Sequence, residues 1–279
     1  MKEKISTEEL KGQLAKEAYS KSSYKFPTEE ISLPSKGLVY DKDSLLVSGK
    51  IEMKYMSAKE EDILTSKSLI QNKTVLDKLF KALIITPIKY NDLLLGDKNK
   101  IMIAARILGY GKEYKTKFKC PSCGHERILT IDLQELTEKE LDIKDLLEEN
   151  KNEFEFVLPT SKKKIKFKLL TQSDHQKIKL EIDSMKKITA KSGISPDATI
   201  TLKHTILEID EDPDRKKINK FINEGELLAI DSKSLRTEIK RISPDVNLSM
   251  YFVCENTMEC SYEDEIDVPV GIEFFWPEA

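Results

Sequence analysis

Apolar residues along the chain follow two spacings in turn, and the points where one gives way to the other divide it into parts. Residues 1 to about 30 are polar, with only Leu10, Leu14 and Ala18 at helical spacing, and read as a flexible arm, either free or ordering on a partner. Leu33-Pro34-Ser35-Lys36-Gly37-Leu38-Val39-Tyr40 marks a turn and a strand start, where ordered structure is expected to begin, and a strand is expected at Lys50 to Tyr55. Ser57 and Glu60 form a capping box, each side chain satisfying a free N–H of a helix start, which predicts a helix to about Gln71. A second helix from Thr74 puts Leu76, Leu79, Phe80 and Leu83 on one face and is interrupted at Pro87. Asp97 is placed to cap a third, which turns Ile101, Ala104, Ala105 and Leu108 inward and stops at Gly109-Tyr110-Gly111. Residues 31–113 thus form a helical N-terminal part.

The spacing then becomes two. Tyr114, Thr116, Phe118 and Cys120 share one side of a strand, Lys115, Lys117 and Lys119 the other, and Leu129, Ile131 and Leu133 repeat the alternation. Residues 114–136 therefore read as a hairpin with a cysteine pair at its tip. Over 137–247, Thr137 and Glu140 suggest a capped helix to about Glu149. A second hairpin follows, Phe154, Phe156 and Leu158 against Ile165, Phe167 and Leu169. Its outward Lys164, Lys166 and Lys168 suit either a solvated edge that resists aggregation or a phosphate contact.

Four helices come next, opened by Thr171 and Asp174, by Ser195-Pro196, by Asp212-Pro213, and by Asp231 with Ser234. The first carries Ile178, Ile182 and Met185; the last turns Leu235, Ile239 and Ile242 inward and ends at Pro244. Over 248–279, Leu248, Met250, Phe252 and Cys254 alternate, a loop leads to Cys260, and a strand surrounds Ile266 and Val268. The two cysteine hairpins form an internal repeat, each returning through Ile-Asp at Ile131-Asp132 and Ile266-Asp267. The fold class is α+β, helical clusters joined to β-hairpins in a single domain over 31–279.

Charge adds little to this picture. The 279 residues carry a formal net charge of -3 with 34% charged side chains, so no general attraction to phosphate is implied. No apolar run reaches the roughly 20 residues that span a bilayer, and Met1 to Ser20 lacks the features of a signal peptide. A soluble protein made in a cytosol is expected.

The cysteines change it most. In a reducing compartment Cys120, Cys123, Cys254 and Cys260 read more readily as metal ligands than as disulfides. Cys120-Pro121-Ser122-Cys123-Gly124 has the form of a zinc knuckle, with glycine allowing the tight turn after the second ligand. The second loop is wider and lacks that glycine. Four thiolates complete a structural zinc site with no position open for catalysis, and the two hairpins would share that one ion. Free buried thiols, or a redox pair at Cys120 and Cys123, are the alternatives.

Catalysis has few candidates. Of the three histidines, His175 and His204 fall on predicted helices, and His125 adjoins the knuckle, where it could replace a ligand. No nucleophile elbow, Walker loop or dinucleotide fingerprint is present. A zinc-ribbon module for nucleic acid is the alternative reading, with Tyr114 to Lys119 as a short basic stripe; the acidic Glu255, Glu259, Glu263, Asp264 and Glu265 around the second pair oppose it. Phe274, Phe275 and Trp276 either pack back on the core or anchor a partner surface.

Several stretches, in order, carry a family likeness: Leu33 to Tyr40, Met56 to Leu64, Leu94-Leu95-Gly96-Asp97, Ala105-Arg106 to Tyr114, and Cys120 to Gly124. Asp231 to Arg236, Pro244-Asp245-Val246 and Phe274-Phe275-Trp276-Pro277 continue it. Over Ile31 to Pro277 the chain resembles the baseplate hub and hub-assembly proteins of contractile-tailed bacteriophages of the T-even type. The resemblance implies a non-enzymatic protein whose partners are other phage baseplate or hub proteins, with no nucleic acid, membrane insertion or small-molecule substrate. It would act in the host cytoplasm during assembly, and in the virion tail baseplate if retained.

Overall fold

A computed structural model describes residues 27–141, 152–189, 196–256, 260–270 and 273–275. The N-terminal arm, most of the helix expected before Glu149, and Trp276 lie outside them. The described residues are mixed α+β, with eight α-helices and four small antiparallel sheets.

Strand β1 (Thr28–Ser32) pairs with β2 (Lys50–Lys54), Ile31 opposite Ile51. Order therefore begins before Leu33, and the Leu33 to Tyr40 stretch forms turns instead of a strand. The expected helix to Gln71 is broken into α1 (Ala58–Leu64) and α2 (Lys67–Gln71). Glu60 accepts from the Ser57 N–H at 3.0 Å, as a capping box requires. The break falls at Thr65, whose hydroxyl turns back to the Glu61 carbonyl at 3.2 Å, followed by Ser66 at the next helix start. Short hydroxyl side chains compete for helix backbone groups in this way.

Helix α3 (Val75–Leu83) buries Leu79, Phe80 and Leu83 as its spacing dictates. Helix α4 (Leu95–Tyr110) is buried nearly all round: Met102, Ile103 and Arg106 are covered as well as Ile101, Ala104, Ala105 and Leu108. Such a helix is the axis of a core, not its lid. Asp97 does not cap it, since Leu94 holds the cap position. The fully buried Asp97 carboxylate instead accepts from Ser35 N–H at 2.9 Å, Ser35 hydroxyl at 2.7 Å and Tyr40 hydroxyl at 2.5 Å. Tyr40 in turn accepts from the Leu94 N–H at 2.9 Å. The Leu33 to Tyr40 turns are thereby fastened to the start of α4.

Strands β3 (Glu113–Lys119) and β4 (Glu126–Asp132) form the first cysteine hairpin, with Tyr114, Leu129 and Ile131 buried and Lys115, Lys117 and Lys119 exposed. Thr137 to Lys139 do not begin a helix. They run beside the segment after the last helix, Glu138 bridging Val246, with Lys139 N–H donating to the Asp245 carbonyl and Asn247 N–H to that of Thr137, both at 2.9 Å. Gly96 meets the same segment: a Cβ there would lie 1.7 Å from the Pro244 carbonyl oxygen. Only glycine allows this approach.

The next sheet has the order β5 (Phe154–Val157), β6 (Lys164–Phe167), β7 (Ile206–Ile209). The third strand places β6 in the middle, so its lysines do not mark a sheet edge. Lys164 pairs with Glu155 at 2.9 Å, Lys166 with Glu208 at 2.9 Å, and Lys168 with Asp174 at 2.7 Å. Around this sheet lie α5 (Gln172–Thr189), α6 (Asp197–Thr205), α7 (Arg215–Asn223) and α8 (Ala229–Ile242). Asp214, not Asp212, caps α7, accepting from Lys216 N–H at 2.9 Å. Asp231 in the first turn of α8 reaches out to the N–H groups of Thr160 and Ser161 at 2.8 and 3.0 Å, tying the β5–β6 turn to the helix. The second cysteine hairpin, β8 (Ser249–Val253) and β9 (Glu263–Asp267), closes the chain with a 3-10 turn at Glu273–Phe275.

Candidate metal site

The first knuckle begins where β3 ends. Cys120 N–H donates to the His125 carbonyl at 2.8 Å and Gly124 N–H to the Cys120 carbonyl at 2.9 Å, closing a turn in which Gly124 has φ 76°. A side chain would be strained there. The second loop is built likewise despite its greater width: Cys254 N–H donates to the Tyr262 carbonyl at 2.9 Å and Cys260 N–H to that of Asn256 at 2.8 Å. Residues 257–259 lie outside the described residues.

Both knuckles aim their sulfurs at one point. Cys120 and Cys260 Sγ are 3.8 Å apart, Cys123 and Cys254 Sγ 3.7 Å, and all four lie within 4.8 Å of one another. Disulfide sulfurs are separated by only about 2.05 Å; these thiols are free. A tetrahedron of sulfurs about 2.3 Å from a central ion has edges of about 3.8 Å. The four cysteines could hold a metal ion. The set consists of thiols alone: His125 is exposed and supplies its carbonyl to the knuckle.

Electrostatics at the cluster favour a cation. Burial pushes the Cys120 thiol up, but N–H groups of Cys123 and Ser122 directed at its sulfur, with the neighbouring thiols, bring it down to about 7. At Cys254 the Asn256 N–H acts in the same downward sense, yet burial and the surrounding sulfurs push it up to about 12. Cys120 thus ionises readily while ionising Cys254 beside it is costly. A bound cation removes that conflict, because thiolates are its ligands.

The hairpins also touch away from the sulfurs. Phe118 of β3 and Phe252 of β8 have ring centroids 4.5 Å apart, and Tyr262 lies 6.2 Å from Phe252. Arg127 of β4 crosses the seam, its guanidinium 5.2 Å above the Phe252 ring, donating to the Val253 carbonyl at 3.2 Å and pairing with Glu255 at 2.6 Å.

The family model described as T4 bacteriophage base plate protein matches residues 30–276. The chain belongs to this family. No curated protein and no solved structure matches it.

The baseplate protein places the rest of its singled-out residues elsewhere. Phe274 and Phe275 are 0% and 1% exposed, Phe274 edge-on to Tyr114 at 4.8 Å and Phe275 at 6.2 Å from Phe80. Of the two readings open for the aromatic run, these rings take the inward one, and are covered by their own core. His204 lies on α6 with Nε2 2.9 Å from Glu181, and His175 on the exposed side of α5.

Two residues were missed from sequence. Arg106 interrupts the apolar run Ile101 to Leu108, which was a signal that its charge meets protein. Arg127 had no such mark. No helix among the described residues is long and apolar enough to cross a membrane.

Proposed function

We propose that the chain is a structural or assembly component of the baseplate hub, acting through protein–protein contacts and not through catalysis, with Cys120, Cys123, Cys254 and Cys260 holding one structural zinc. The family match over residues 30–276 carries this reading. The sulfur cluster supports its second half, since it joins hairpins distant in sequence and leaves no ligand position open for chemistry. The protein would act in the host cytoplasm during assembly, and in the virion tail baseplate if it is retained. The partners are other baseplate or hub proteins.

Mass spectrometry of purified tails and of hub assembly intermediates tests the role. Presence in complete tails makes the protein a subunit; presence only in intermediates makes it an assembly factor. Absence from both would sink the proposal.

A further inference from the structure

The two cysteine hairpins face each other through Phe118 and Phe252, so their outer faces point in opposite directions, as the strand pleat requires. Those faces differ in charge. On β3 the outer row runs Glu113, Lys115, Lys117, Lys119, all exposed, and among the described residues Lys119 is the one of these lysines paired with an acid, 3.8 Å from Glu126. Beside it on β4, opposite Lys117, stands Ile128, 57% exposed.

On the other ribbon the outer row is acidic. Glu263, Glu265 and Asp267 are exposed on β9, with no cation paired to them among the described residues. Opposite Glu265 and Glu263 stand Tyr251 and Val253 of β8, 64% and 48% exposed. The first face therefore carries Lys115 and Lys117 around the exposed Ile128, with Glu113, Glu126 and Asp132 at its ends, and the second an acidic row on one strand with Tyr251 and Val253 on the next. Charges within each row repeat every second residue, about 6.7 Å apart, so the two rows match in spacing as well as in sign.

We infer that the lysine face of β3–β4 docks on the acidic face of β8–β9 of a second copy of this chain. Matched potentials steer such contacts and fix their register, while the apolar residues supply the dry centre. Because the contact joins two different faces pointing apart, it is head-to-tail and builds a stack larger than a two-fold dimer. This goes beyond the baseplate assignment and does not depend on it.

Sedimentation velocity of the full-length, metal-replete chain tests the contact. Concentration-dependent species beyond the dimer are expected at low salt, with loss at high salt as screening sets in. Lys115→Glu with Lys117→Glu makes both faces acidic, and Glu263→Lys with Glu265→Lys makes both basic; each variant alone should associate at least about tenfold more weakly. Mixing the two should restore assembly, which an unfolded variant could not do. Tyr251→Ser, which leaves every charge in place, should weaken it too. A wild-type chain that stays monomeric, charge variants that associate unchanged, or faces that bind only a different phage protein would each overturn the inference.

Discussion

Arg106 Nε donates to the carbonyl oxygen of Phe274 at 2.9 Å, across 168 residues of chain. The same guanidinium donates to the carbonyls of Gly111 at 3.0 Å and Glu113 at 3.1 Å, so a buried cation on the central helix is held by main-chain oxygens from the start of β3 and from the C-terminal turn. Phe274 and Phe275 then seal the space between α3, α4 and Tyr114.

This predicts coupled losses. Phe274→Ala should cost about 3–5 kcal/mol by emptying a fully buried site, and Arg106→Met about 2–3 kcal/mol by leaving carbonyls unsatisfied. Because the two residues share one contact, the double variant should lose less than the sum. Urea unfolding measures all three; strict additivity would show that the C-terminal turn is not held by Arg106.

Gly96→Ala should reverse the usual sign of such a change. In an exposed helix alanine replaces glycine with a gain. Here the added carbon would meet the Pro244 carbonyl oxygen at 1.7 Å, and the helix would have to move off the segment that Asn99 holds through Asp245 at 2.9 Å. A loss of about 1–3 kcal/mol is expected from the overpacking. Equal or greater stability in denaturant titration would rule out the close approach.

Asp77 gives a pH dependence. Its carboxylate accepts from Lys98 at 2.7 Å, Tyr90 hydroxyl at 2.9 Å and Gln172 amide at 2.9 Å, linking α3, α4 and α5. Burial raises its pKa, but Lys98, Tyr90 and Gln176 outweigh burial and hold it below the ordinary carboxylate value. Its contribution is therefore complete above the unfolded pKa and is lost as pH falls through the lower folded one. Asp77→Asn should melt lower than wild type at pH 7, with the gap closing in acid below about pH 4. A gap that persists unchanged at pH 2 contradicts this.

Metal analysis should find about one zinc per chain, the stoichiometry of a single four-thiolate site. Cys254→Ser should lower both zinc content and melting temperature, since binding energy at such a site is folding energy. A variant that keeps both would show that the four sulfurs do not share an ion.

Sequence pattern located most elements because apolar spacing is local: the alternation of Tyr114 to Cys120 and the stripe of Leu79, Phe80 and Leu83 each report one face of one element. Strand β7 escaped it because Ile206 to Ile209 follows α6 without a turn residue between them, and β1 because Thr28 to Ser32 has only one apolar side chain. Asp97 and Asp231 show a further limit. An acid in a first helical turn looks like a capping residue, but the donors that claim these two come from Ser35, Tyr40, Thr160 and Ser161. The cysteines were legible because four thiols must find one another to make a site; Arg127, which bridges the same hairpins, had no obligatory counterpart.

The closing contacts at Cys260 and Phe274 bear on how the protein is made. A ribosome delivers α4 and the first knuckle long before Cys254, Cys260, Phe274 and Phe275, so until those residues arrive the chain exposes Phe80, Tyr114 and two unmatched thiols. The core around α4 and the first knuckle are therefore completed together, when the segment carrying Cys254, Cys260 and Phe274 docks.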